Sequence, residues 1–131
     1  MKLAKLISCI TSVLAITASM ATLSAGAEYD YSANDGYSNF YCSRTTNIGF
    51  VEIQNLTSTT RWGSVSMIAY SSTGGAIGSD GYSKSLSQNA LCNQRTMFSS
   101  NFHHLYCSGC LYYSNNPYGG TISNYSKTLN P

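Results

Sequence analysis

The chain has 131 residues, a formal net charge of +2, and only 9% charged residues against 12% aromatic ones. So short and weakly charged a chain has room for one modest domain and offers no basic patch to nucleic acid or anionic lipid. Its eleven tyrosines and four phenylalanines also exclude the profile of a disordered polypeptide.

The first predicted element is a secretory signal peptide over residues 1–27. "MKLAK" is a short basic start, "LISCITSVLAITASMATL" is apolar with small polar interruptions, and Ala25 to Ala27 form an A-x-A cleavage site. A transmembrane anchor is the competing reading. Thr11, Ser12, Thr17 and Ser19 interrupt the run, and the cleavage pattern follows at once, so removal is expected. "LISC" has lipobox-like residue types, but too few apolar residues separate Lys5 from Cys9 for a lipoprotein signal. No later segment is apolar for long enough to cross a bilayer as a helix. The expected product is therefore extracellular, without membrane insertion. Losing Lys2 and Lys5 leaves it with five basic and five acidic residues, a net charge of zero.

Residues 28–36, "EYDYSANDG", read as a loose arm ending in a turn signal, and residues 37–131 read as a single domain. "TNIGFVEIQNL" is a strand, and "WGSVSMIAYSS" is another because Val65, Met67 and Ala69 alternate with Ser64, Ser66 and Ile68. "STGGAIGSDG" fits a hairpin connection and "YSKSLS" a short polar strand, while "QNALCNQ" is ambiguous. "RTMFSSNFHHLYC" and "CLYYSNN" read as two strands joined at "SG". "NPYGG" is a turn, and "TISNYSKTL" is a closing strand. No segment past the signal peptide shows a helical apolar stripe over three turns. The fold class is therefore all-β: a small antiparallel β-sandwich or partly open barrel of roughly six to eight strands, expected to be monomeric. "DGYS" occurs at Asp35 and again at Asp80, each followed by a cysteine and an "RT", which raises the question of a duplication.

Four cysteines remain after cleavage: Cys42, Cys92, Cys107 and Cys110. In an exported chain of this size an even count reads as two structural disulfides, with three connectivities open. The stretch "NFHHLYCSGCLYYSNN" tests that reading. Thioredoxin-like chemistry needs the first cysteine at a helix N-terminus, and the flanks here are β-rich. A zinc site built from His103, His104, Cys107 and Cys110 needs both histidines to face one ion, yet neighbours in a strand point to opposite faces. A four-thiolate site drawing on Cys42 and Cys92 would compete with disulfide formation. The reading that needs no chemistry is a hairpin with Ser108-Gly109 as its two-residue loop, Cys107 facing Cys110, and His104 facing Tyr113.

Other catalytic signatures are missing from the sequence. There is no G-x-S-x-G elbow, "GGAIGS" lacks the ending of a phosphate loop, and nothing pairs two of Asp35, Glu52 and Asp80 as glycosidase carboxylates. "NLT" at Asn55 and "NYS" at Asn124 match the glycosylation acceptor pattern. Tyr, Ser, Gly and Asn dominate the chain, as they do contact surfaces of antibody type, and Tyr112, Tyr113 and Tyr118 form a candidate patch at a sheet end. The expectation is a secreted, non-enzymatic binding protein without catalytic residues, metal or cofactor. Its partner would be an extracellular protein or glycan on a cell surface, and a bacteriocin-like antimicrobial role is a special case. His103, His104, Tyr112, Tyr113 and Tyr118 are the candidate contacts. The alternatives are an extracellular metal-dependent or thiol-redox protein using the His-His-x-x-Cys-x-x-Cys stretch, and a structural coat component.

Overall fold

The computed structural model describes residues 29–131, so the expected signal peptide lies outside the described residues. Eight strands follow one another: β1 (Asp30–Asn34), β2 (Ser38–Arg44), β3 (Ile48–Asn55), β4 (Arg61–Tyr70), β5 (Ala76–Leu86), β6 (Leu91–Met97), β7 (His104–Tyr112) and β8 (Thr121–Leu129). They form two four-stranded sheets, ordered β1-β2-β3-β6 and β5-β4-β7-β8, with every neighbouring pair antiparallel. There is no helix among the described residues. The fold is all-β and sandwich-like, as the residue pattern predicts.

Side-chain alternation decides which face of each strand is covered. Along β4 the inward positions are Gly63, Val65, Met67 and Ala69, and the alternate ones are only half-buried. Along β7 the inward positions are Leu105, Cys107, Gly109 and Leu111. From the first sheet Phe40, Cys42, Val51, Ile53 and Cys92 meet them in one continuous core. At one edge Phe40 stacks on Tyr125, with centroids 5.1 Å apart and rings 7° from parallel. The Tyr125 hydroxyl donates to the Ser38 carbonyl at 3.1 Å, so the half-buried ring packs on the core while its polar end is satisfied.

Three expectations are corrected by this architecture. The arm read as loose contains β1, which pairs with β2 from Asp30↔Ser43 to Asn34↔Asn39. Its anchor is Tyr31, whose ring tilts against Phe40 at 6.4 Å and lies under the Lys127 ammonium at 5.0 Å. The segment 95–107 is not one strand, because β6 ends at Met97 and β7 starts at His104. Phe98 and Phe102, both buried and in edge-to-face contact at 5.5 Å, fasten the connection that carries the chain from one sheet to the other. Ser108-Gly109 is not a turn. It lies inside β7, paired to β4 on one side and β8 on the other. A two-residue turn there would have ended the strand halfway across a sheet whose neighbours continue.

The duplication suggested by the repeated "DGYS" also meets two unlike structures. Asp35 caps the β1–β2 turn by accepting from the Tyr37 and Ser38 amides at 2.9 and 3.0 Å. Asp80 sits within β5. Asn55 of the "NLT" sequon is fully buried, its amide donating to Thr59 and Leu86 carbonyls at 2.8 and 2.9 Å, so it presents no acceptor nitrogen in the folded chain.

Candidate binding face

Strand register distributes the cysteines. Cys107 and Cys110 are three apart in a continuous strand, so they point to opposite faces: Cys107 is fully buried in the core, and Cys110 lies half-buried on the outer face. The cross-hairpin Cys107–Cys110 pairing is therefore excluded by geometry. Cys42 and Cys92 are both fully buried on the inner face of the first sheet, and no S–S bond joins any two of the four sulfurs in this structure. Hydrogen bonding with Cys107 and then burial push the Cys42 thiol far above its ordinary pKa. Burial takes Cys92 up to about 11 and raises Cys110 as well. A thiol that resists ionisation is a poor nucleophile and a poor metal ligand, the opposite of a redox-active cysteine.

The histidines separate in the same way from those sulfurs. His103 precedes β7 and is exposed, while His104 projects on the outer face and stacks on Tyr70 at 4.9 Å. His103 and His104 touch edge to face at 5.8 Å, but neither is brought to Cys107. Among the described residues no three His, Cys, Asp or Glu side chains converge as a metal site. The three carboxylates also stand apart, since Asp35 is in a turn, Glu52 is on the outer face of β3 and Asp80 is on β5 at the sandwich edge.

Burial raises the Glu52 pKa, with an opposing hydrogen bond from Asn93 Nδ2 at 3.1 Å. A raised carboxyl contributes stability that is complete below its unfolded value near 4.5 and is lost as pH rises through the folded one. Glu52→Gln, which keeps an acceptor for Asn93, should flatten the fall in stability between pH 4 and 7. Urea midpoints measured across that range check it, and an unchanged slope would contradict the assignment.

The arrangement that stands out is the outer face of the second sheet. On β4 it carries Trp62, Ser64, Ser66, Ile68 and Tyr70, and on β7 it carries Tyr112, Cys110, Ser108, Tyr106 and His104. Cross-strand register sets Ser64 beside Cys110, Ser66 beside Ser108, Ile68 beside Tyr106 and Tyr70 beside His104. The hydroxyls of Ser66 and Ser108 bond at 2.7 Å. On β5 the same parity gives Ser79, Gly81, Ser83 and Ser85, and on β8 it gives Asn124, Ser126 and Thr128. Around the Ser66–Gly81 pair lies an open depression of ≈ 440 Å³ lined by Ser64, Val65, Ser66, Gly81, Tyr82 and Ser83. The four charged residues of this sheet, Arg61, Asp80, Lys84 and Lys127, all have the opposite parity. A solvent-facing sheet surface ordinarily carries charges for solubility and against edge pairing. This one has none apart from the ionisable imidazole of His104.

The five expected contact residues are divided by this geometry. His104 and Tyr112 share the face at opposite ends of β7, eight residues or roughly 26 Å apart at strand rise. His103 lies beyond one end. Tyr113 and Tyr118, 62% and 84% exposed, lie in the β7–β8 connection beyond the other, where the Trp62 amide donates to the Ser114 carbonyl at 2.9 Å. Trp62, Tyr70, Tyr106 and the serines between them were not singled out by residue type. Their signal is the period of two in "WGSVSMIAY", which continues in "HLYCSGCLY" once that stretch is read as one strand.

No protein-family model matches the chain, and no curated protein does. Among solved structures it is similar to a β-glucuronidase from glycoside hydrolase family 2, at 12% identity and a TM-score of 0.40, over 78% of this chain and 11% of that one. It is also similar to a Bacteroides fragilis protein described as a β-galactosidase, at 14% identity and a TM-score of 0.43, over 79% of this chain and 16% of that one. The chain thus spans less than a fifth of the length of either, and a likeness of that grade carries no argument about what it does.

Proposed function

We propose that the chain is an exported, non-enzymatic binding domain, held together in the extracellular space by disulfide chemistry. Its target is a neutral, hydroxyl-rich glycan on a cell surface, taken up on the outer face of the second sheet. The observation that carries this reading is the uncharged face itself, in which a serine-lined depression is bracketed by Trp62 and Tyr112 at one end and Tyr70, His104 and Tyr106 at the other. Aromatic rings provide broad, stiff, apolar platforms for the C–H faces of sugar rings, and hydroxyls between them exchange hydrogen bonds with sugar hydroxyls at little desolvation cost. A charged ligand would find no counter-ion there.

Titration of Trp62 fluorescence with soluble neutral polysaccharides, and co-sedimentation with cell-wall preparations, test the proposal. Binding should be nearly independent of salt, because no charge pair contributes. Tyr106→Ala should weaken it about tenfold, corresponding to roughly 1.4 kcal/mol. Ser66→Arg, which fills the depression with a charge, should abolish it. A steep salt dependence, or full affinity in Ser66→Arg, would rule the face out.

A further inference from the structure

We infer that one disulfide, Cys42–Cys107, joins the two sheets through the core, and that Cys92 and Cys110 remain thiols. Three inward positions of β2 lie over β7 in antiparallel order. A side-chain carbon at Gly109 would meet Phe40 Cδ2 at 2.7 Å, which puts Phe40 directly over Gly109. Two residues further along β2, Cys42 has Cys107, two residues back along β7, as its hydrogen-bond partner. Two further still, Arg44 donates through Nη1 to the His103 carbonyl just before β7. The residues on either side thus hold the two sulfurs opposite each other, both fully buried.

The remaining cysteines are out of reach. Cys92 lies on β6, opposite Ile53, whereas Cys42 lies on β2, opposite Val51, so β3 stands between them. Two strand spacings amount to roughly 9.5 Å, more than a disulfide spans. Across the core Cys92 meets Gly63, a side-chain carbon there lying 3.5 Å from its Cβ, and Gly63 is four residues along β4 from Met67, the partner of Cys107. Cys110 faces away from the core and donates to Asn124 Oδ1 at 3.2 Å.

The oxidant is a disulfide compound. Two S–H bonds break and one S–S bond forms, and the two protons and two electrons pass to the oxidant, whose disulfide becomes two thiols. Because both sulfurs are shut off from solvent in the folded chain, the exchange takes place while the sheets are still assembling. The resulting loop of about 65 residues encloses β3 to β6, a span that restricts the unfolded ensemble strongly.

This inference rests on the proposed export only for the source of the oxidant, and refolding the reduced chain with oxidised and reduced glutathione supplies one independently. The folded product, confirmed as β by circular dichroism, should be lighter than its fully reduced form by two hydrogens. Iodoacetamide should modify Cys110 in the native state and Cys92 only after denaturation. Cys92→Ser and Cys110→Ser should keep the two-hydrogen deficit, and Cys107→Ser should lose it. The urea midpoint of the product should fall on reduction. Four free thiols in a β-folded product, or loss of the link in Cys92→Ser or Cys110→Ser, overturn the inference. Glycan binding measured on the same samples reports separately on the outer face.

Discussion

Gly109→Ala is expected to cost about 1 kcal/mol of stability and to lower the thermal midpoint by roughly 6 °C. The added methyl would sit 2.7 and 2.8 Å from Cδ2 and Cε2 of Phe40, inside van der Waals contact. Phe40 cannot swing aside, since it is 1% exposed, stacked on Tyr125 and flanked by Tyr31. Overpacking of this kind costs about 1–3 kcal/mol, and replacing glycine in an extended strand returns roughly 0.5–1 kcal/mol of unfolded-state entropy. The net is a loss. Thermal and urea unfolding of the variant check it, and a stability equal to wild type would mean that the two sheets are spaced more widely at this point.

Arg44→Met is expected to remove about 3 kcal/mol. Arg44 is 4% exposed, and its guanidinium packs over the Phe102 ring at 4.7 Å from the centroid. Nη1 donates to the carbonyls of His103 and, at 3.1 Å, of Leu129, and Nη2 donates to that of Phe102 at 3.3 Å. One side chain therefore ties the end of β2 to the entry of β7 and the exit of β8. Burial depresses the Arg44 pKa, and Nε has no partner, so the cation itself is costly to hold there. Methionine would recover the packing and remove that cost, but it would leave three carbonyls without donors at about 1 kcal/mol or more each. Arg44→Lys, with one donor group and no plane to lay on Phe102, should fall between the two. A midpoint for Arg44→Met within about 0.5 kcal/mol of wild type would show that water reaches those carbonyls after the change.

Both variants act at the seam between the sheets, as does the Cys42–Cys107 link. Phe40 over Gly109, Cys42 over Cys107 and Arg44 on the His103 carbonyl are consecutive contacts along one strand pair. Loss of any one should loosen the registry of the other two, so their effects on stability should not add. The outer face of the second sheet is built from the opposite side chains of β7 and is expected to keep its geometry as long as that strand stays paired to β4 and β8.

Residue order alone determined that this chain makes strands, because β-branched and aromatic residues recur with a period of two and no helical stripe exists after residue 27. It also identified Val65, Met67 and Ala69 as one face of a strand, since that alternation is local. Only tertiary structure decided what "HHLYCSGCLYY" is. A Ser-Gly pair suits a tight turn and a strand interior alike, and the choice fell to β4 and β8, whose hydrogen-bonding edges require an unbroken partner between them. That decision sent Cys107 inward and Cys110 outward, separated the histidines from both sulfurs, and aligned His104, Tyr106, Ser108 and Tyr112 on one surface. It likewise drew β1 out of an arm with few apolar residues, because Tyr31 is held between Phe40 on the neighbouring strand and Lys127 on β8, far away in sequence. Periodicity is a short-range property of the chain, whereas the pairing of strands tens of residues apart, which sets every face and every sulfur–sulfur approach, is not.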